Sequence, residues 1–195
     1  MTWVVMAVII IVGLLVTSNL KVENPSKRQL LVESFFSWLY HFFEDLIGEE
    51  GKKYIPYLMT IIVYLTISNM LGWFGLTPPT KDIQVTAALA IMSIILIESS
   101  GMIHKGFGGW FRQKVEPIAA IAPLNFLEIL IRPLSLCMRL FGNMLGGFII
   151  MELIKHLVPV IVPIPFGLFF DTFDAIIQAY VFCLLTSLFI KESIE

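Results

Sequence analysis

Residues 133–147 read Pro133-Leu134-Ser135-Leu136-Cys137-Met138-Arg139-Leu140-Phe141-Gly142-Asn143-Met144-Leu145-Gly146-Gly147. One guanidinium stands in the middle of an apolar run. Arginine, with a pKa above about 12, keeps its charge in any protein environment. At mid-bilayer it costs about 2.5–3.5 kcal/mol on insertion scales, and more on an isolated helix. Such a residue needs an anionic partner, a water-filled cavity, or both. Its default reading is an ion pathway.

The rest of the chain puts that run in a membrane. Of 195 residues 57% are hydrophobic and 14% charged, and the mean hydropathy is +0.87. A soluble domain carries about 25% charged residues. The net charge of −2 gives no reason to expect nucleic acid. Cys137 and Cys183 both lie in apolar stretches and read as packing residues rather than a disulfide or metal site. There is no phosphate-binding loop, zinc spacing or dinucleotide glycine set. Neither a cofactor nor a metal is expected, and the chain does no ATP chemistry by itself.

The fold class expected is an all-α integral membrane protein, a single membrane domain over 1–195. It has about five transmembrane helices plus one amphipathic helix. Residues 3–18 form the first span, with Trp3 as interfacial anchor and without the basic start or cleavage site of a signal peptide. Over 27–47, apolar residues from Leu30 to Leu46 recur at helical spacing among polar ones. That pattern suits a helix on the membrane surface or against other helices, and equally a buried core helix. Residues 54–75 and 83–103 each supply about 20 mostly apolar positions, enough for a core of about 30 Å.

The segment 118–156 is too long for one upright crossing. As continuous helix it runs about 58 Å, about twice the hydrocarbon thickness. It must tilt, bend at Pro133, or lie partly outside the core. Val158 to Pro165 carries three prolines and reads as the turn of a hairpin. Residues 166–190 return, so the last two spans form a long tilted hairpin.

Basic residues set the orientation. With five spans and the N-terminus outside, Lys21, Lys27, Arg28, Lys52, Lys53, Lys105, Arg112, Lys114 and Lys191 fall inside. Lys81 and Lys155 fall outside, while Arg132 and Arg139 lie within a span. Nine against two favours a cytoplasmic C-terminus.

Helical spacing sorts the polar residues. Glu128, Arg132 and Arg139 project within about 40° of one another. Ser135 lies one turn before Arg139 and Asn143 one turn after. This stripe is either one wall of an inner aqueous half-channel or, for Glu128 and Arg132, an interfacial anchor paired at i,i+4. Gly142, Gly146 and Gly147 thin the same helix for close approach of another, either the returning arm or a separate subunit. Asp171, Asp174 and Gln178 fall at i, i+3 and i+7, one face of a regular helix. Asp174 reads equally as an anchor near the outer surface. Glu98 near the inner end of its helix reads as an interfacial acid or a channel-lining one.

Ser135-Leu136-x-x-Arg139-Leu140-Phe141-Gly142-Asn143-Met144 resembles the signature of subunit a of the F-type ATP synthase. The likeness extends to Tyr54-Ile55-Pro56, Ser68-Asn69-Met70-Leu71-Gly72, Pro79-Thr80-Lys81-Asp82-Ile83-Gln84-Val85-Thr86 and Gln178-Ala179-Tyr180-Val181-Phe182, in the family's order. The resemblance implies a non-catalytic, ion-translocating stator subunit of the membrane motor, with two half-channels that couple H+, or Na+, translocation to rotation and ATP synthesis. It gives Arg139 the role of facing the carboxylate of the c-ring and blocking leak. It makes Gln178 the residue opposite the arginine and Asp171 a relay in the outer half-channel, in a place where the family often has Glu or His. Ser135, Asn143 and Glu128 then belong to the ion pathway.

One position departs from the pattern. Many relatives carry an acid or His nine residues after the arginine, where this chain has Phe148; Glu152, one turn later, stands in for it or Asp171 serves alone. The implied partners are the c-ring, the peripheral stalk subunit b, the other synthase subunits and membrane lipid. The implied location is the bacterial inner (plasma) membrane, multi-pass. The competing readings are a stand-alone secondary transporter with an anion-binding arginine and a structural scaffold. The first calls for internal repeats that are not evident, and the second leaves Arg139 unexplained.

Overall fold

The computed structural model describes the backbone of residues 2–17, 26–74, 78–115, 122–157 and 163–194. Among these residues there is no strand, and the chain is an all-α membrane protein. Three helices are long and apolar enough to cross a bilayer, over Ile83–Gly106, Leu127–Leu157 and Pro165–Ile194, with a shorter apolar helix at Thr2–Leu15.

The first helix, α1 (Thr2–Thr17), is apolar all round and largely exposed, as suits a helix whose solvent is lipid. The second, α2 (Lys27–Ile47), starts at Ser26, whose hydroxyl accepts from the amide of Gln29. It ends at Gly48, whose φ of 82° few other residues adopt. Its C-terminal half buries Leu39, Phe43 and Ile47, and the Phe42 ring lies 5.8 Å from that of Tyr180. Its N-terminal half leaves Leu31, Phe35 and Trp38 exposed. So α2 is neither purely a surface helix nor a core one. A 3-10 turn at Glu49–Tyr54 follows, outside the spans. There Lys52 pairs with Glu44 at 2.6 Å. The shared hydrogen bond holds the Glu44 carboxyl below the usual carboxylate range and pushes the Lys52 ammonium up.

The third helix, α3 (Ile55–Met70), passes into a 3-10 turn at Leu71–Phe74. Together with the turn before it, this gives continuous helical backbone over 54–74 of the expected span 54–75, residue 75 lying outside the described residues. The fourth, α4 (Ile83–Val115), runs past the expected end at 103. It breaks at Gly106, whose φ of 71° leaves the helical region and whose missing Cβ permits it. The fifth, α5 (Ala122–Leu157), has 36 residues and continues through Pro133. That is about 54 Å of helix. Residues 118–121 of the expected helix, and 158–162 of the expected hairpin turn, lie outside the described residues.

The return arm differs from expectation. Backbone already turns helical at Pro163, within the stretch read as turn. A short α6 (Pro163–Leu168) is followed by a π-helical turn, Phe169–Asp174, and then α7 (Ala175–Ile194). Pro163 and Pro165 fall in the first helical turn, where no amide is needed.

The core joins α2, α3, α4 and α7, with Phe43, Ile55, Leu58, Leu65, Ile97 and Ile190 fully buried and Leu136 and Leu140 of α5 packed against them. Helix α5 packs mainly on α4, and α7 mainly on α3 and α4; α5 and α7 touch each other little. One end of the bundle gathers the Tyr54 ring near that of His104, and the Ser193 hydroxyl donates to the Ile97 carbonyl there. The other end gathers Asn69, Thr80 and Lys81.

Candidate functional site

The central residue sits on the open side of α5. Leu136, Cys137 and Leu140 are buried against the bundle, with the Cys137 sulfur 3.6 Å from the Thr86 hydroxyl of α4. Arg139 is exposed and has no ion pair or hydrogen bond among the described residues. Ser135 and Asn143, one turn to either side, are also exposed. Around them Leu130, Leu134 and Met138 present apolar surface. The result is a single uncompensated cation on an apolar face. Such a charge in a bilayer requires a partner that the described residues do not supply.

Gly142 and Gly146 extend that face. A Cβ built at either meets no described atom within 4 Å. No described atom of the returning arm reaches these two positions.

The lower part of the stripe splits. Glu128 is exposed and pairs with Arg132 at 3.0 Å, the i,i+4 contact of an anchor. Arg132 itself is buried, with 5% exposure. Its Nη2 donates to Glu192 at 2.6 Å, near the end of α7. Same-face projection does not bring Arg132 and Arg139 into one environment, because the long arginine stem reaches sideways to a distant acid.

On the return arm, Gln178 is buried and its Nε2 donates to the Asp174 Oδ1 at 3.3 Å. Gln178 makes no hydrogen bond with Arg139. The expectation of one regular face for Asp171, Asp174 and Gln178 does not hold as stated. Residues 169–174 are π-helical, so the α spacing fails above Asp174. The backbone of Asp171 belongs to that turn, and its side chain lies outside the described residues. Glu152 is exposed near the far end of α5.

Two features escaped sequence reasoning. Lys81 places its ammonium 2.9 Å from the centre of the Phe148 ring. The Thr80 hydroxyl donates to Asn69 Oδ1, while Asn69 Nδ2 and Ser68 Oγ are buried without a partner among the described residues. Adjacent polar residues in an apolar run were the available signal. This polar cluster lies at the end of α3 against which the π-helical turn packs. Among the described residues no group of His, Cys, Asp and Glu is placed to hold a metal.

The sequence matches the family described as ATP synthase A chain over residues 1–191. This chain belongs to that family. It is 34% identical over 196 residues to the ATP synthase subunit a of Moorella thermoacetica, covering 100% of this chain and 88% of the relative. It is 32% identical over 209 residues to a protein of Propionigenium modestum named ATP synthase subunit a, sodium ion specific, covering 99% and 72%. The family gives the reading as a stand-alone transporter no support.

Proposed function

We propose that this chain is the non-catalytic stator of the ATP synthase membrane motor, which couples ion flow to rotation through Arg139. The observation that carries the reading is an exposed guanidinium, unpaired among the described residues, on an apolar helix face beside a groove at Gly142 and Gly146 that those residues leave open. A ring of c-subunits, each with a membrane carboxylate, is the partner that supplies both the counter-charge and the helix. The peripheral stalk subunit b and the soluble subunits complete the complex.

The chemistry is electrostatic. A ring carboxylate arriving loaded from lipid meets Arg139+, which favours the ionised form and releases the ion. The ion leaves through one half-channel, and after rotation the carboxylate reloads from the other. Arg139 also repels cations and so prevents direct leak between the two. Each charge crossing yields about 2.3 kcal/mol per 100 mV. The end bearing Glu49–Tyr54, Glu128 and Glu192 is assigned to the cytoplasm, where Ser135 and Glu128 serve the inner route. Asn143, Glu152, Asp171 and Gln178 serve the outer one. The carried ion is H+, with Na+ the alternative, since ligands on the ring choose between them. The location is the bacterial inner membrane, N-terminus outside.

The test is Arg139→Ala in membrane vesicles holding the assembled complex. ATP synthesis from an imposed potential is abolished while the soluble ATPase stays active. Arg139→Lys fails as well, because ammonium lacks the planar fork and loses its proton when desolvated. Synthesis by Arg139→Ala at near the parent rate refutes the assignment. The same vesicles run with and without Na+ identify the ion.

A further inference from the structure

Arg132 is the only charged residue among the described ones that is buried. An interfacial anchor extends its charge to water and stays exposed. Arg132 instead turns into the protein. Its Nη2 is shared between Glu192 at 2.6 Å and Glu128 at 3.0 Å, and its guanidinium carbon lies 4.8 Å from the centre of the Phe189 ring. The contact to Glu192 joins α5 to the last turn of α7 across 60 residues of sequence.

Three structural facts give that contact a purpose. Helices α5 and α7 touch each other little: α5 leans mainly on α4, and α7 on α3 and α4. Packing alone therefore leaves their mutual register weakly held. Pro133 follows Arg132 directly and takes the amide hydrogen bond away from the Ile129 carbonyl, so α5 is softened at this point. Arg139 lies seven residues further on, about 10 Å along the axis. A slip or bend at Pro133 moves Arg139 with it.

We propose that Arg132 is a positioning residue, an ionic clasp with Glu192 that fixes α5 against α7 and so sets where Arg139 stands relative to Gln178. The inference rests on the coupling role assigned to Arg139. A clasp between long, otherwise loosely apposed helices defines geometry that the ring meets at every step. Removing one partner of a buried pair leaves an uncompensated charge, so the arms rearrange around it. A single nitrogen makes both carboxylate contacts, so a compact cation at this position substitutes well, in contrast to Arg139.

The experiment uses vesicles carrying the assembled complex, with ATP-driven ion pumping expressed per assembled complex. Arg132→Met and Glu192→Gln each lower pumping about tenfold at unchanged soluble ATPase activity, the factor for a coupling of about 1.4 kcal/mol. Arg132→Lys retains most of it, and the exchange Arg132→Glu with Glu192→Arg recovers at least half. Normal pumping per complex in both single variants overturns the clasp, even if less complex assembles. So does loss in Arg132→Met with normal pumping in Glu192→Gln, since Arg132 then acts without Glu192. Should Arg132→Met fail to assemble, the half-exposed Glu192 still permits Glu192→Gln and the exchange to decide. Arg139→Ala runs alongside: if it is dead while the clasp variants pump, the clasp alone falls. If it pumps, the coupling role assigned to Arg139 falls.

Discussion

Replacing Gly142 and Gly146 together by leucine separates folding of this chain from its assembly. A Cβ at either site meets no described atom within 4 Å. Neither glycine is among those with positive φ, so an L-residue fits the backbone without strain. Within the chain the double change therefore costs nothing, and helix propensity favours leucine over glycine inside α5 by about 0.5–1 kcal/mol per site. At a contact built on small residues four apart, each leucine overpacks by about 1–3 kcal/mol. Two sites sum to about 2–6 kcal/mol, a loss in association of about thirtyfold to about twenty-thousandfold. The solubilised chain, followed by size-exclusion chromatography after heating, keeps its melting point or melts higher. Co-purification with the ring and ATP-driven pumping are lost. A double variant that assembles and pumps like the parent shows that no helix approaches this face. A double variant that melts early shows that the glycines pack within the chain, and it refutes the reasoning from the other side.

Asp171→Asn slows passive conductance through the membrane sector strongly, Glu152→Gln slows it less, and Asp174→Asn is the control that leaves it near normal. Conductance blocked by Glu152→Gln alone moves the outer route to α5. A cysteine at Lys53 labels only from the cytoplasmic side and one at Lys81 only from outside; labelling of position 81 from inside overturns the five-span orientation. Phe43, fully buried where α2 meets the bundle, is a keystone of that contact. Phe43→Ala costs about 3–5 kcal/mol and lowers the melting point of the purified chain, whereas a cost below about 1 kcal/mol places α2 outside the core.

What was legible in the sequence follows from what is local. Apolar runs such as 83–103 announce helices because a bilayer demands about 20 such residues and closed backbone hydrogen bonding. The Glu128–Arg132 pair was legible for the same reason, being one helical turn. Contacts across the fold were not. Nothing near Arg132 points to Glu192, and nothing near Phe148 points to Lys81, because side-chain reach is settled by how helices pack. The continuation of α4 beyond Gly106 escaped notice because polar residues after 103 mask a helix that has left the apolar layer. The π-helical turn was hidden too, since projecting Asp171 onto Gln178 assumes an unbroken α-helix.

That turn has a further consequence. A π-helical turn holds one residue more than the α-helical turn it replaces. Phe169–Asp174 is thus a place inside the return arm where a single residue can be dropped and the chain can relax into ordinary α-helix without rotating Gln178 and everything beyond it. Elsewhere in the arm the same deletion turns every following side chain by about 100°. Sequence distance from an acid in this turn to Gln178 is consequently no ruler. Among relatives the acid is to be matched by the surface it reaches, with a gap of one residue counted as silent.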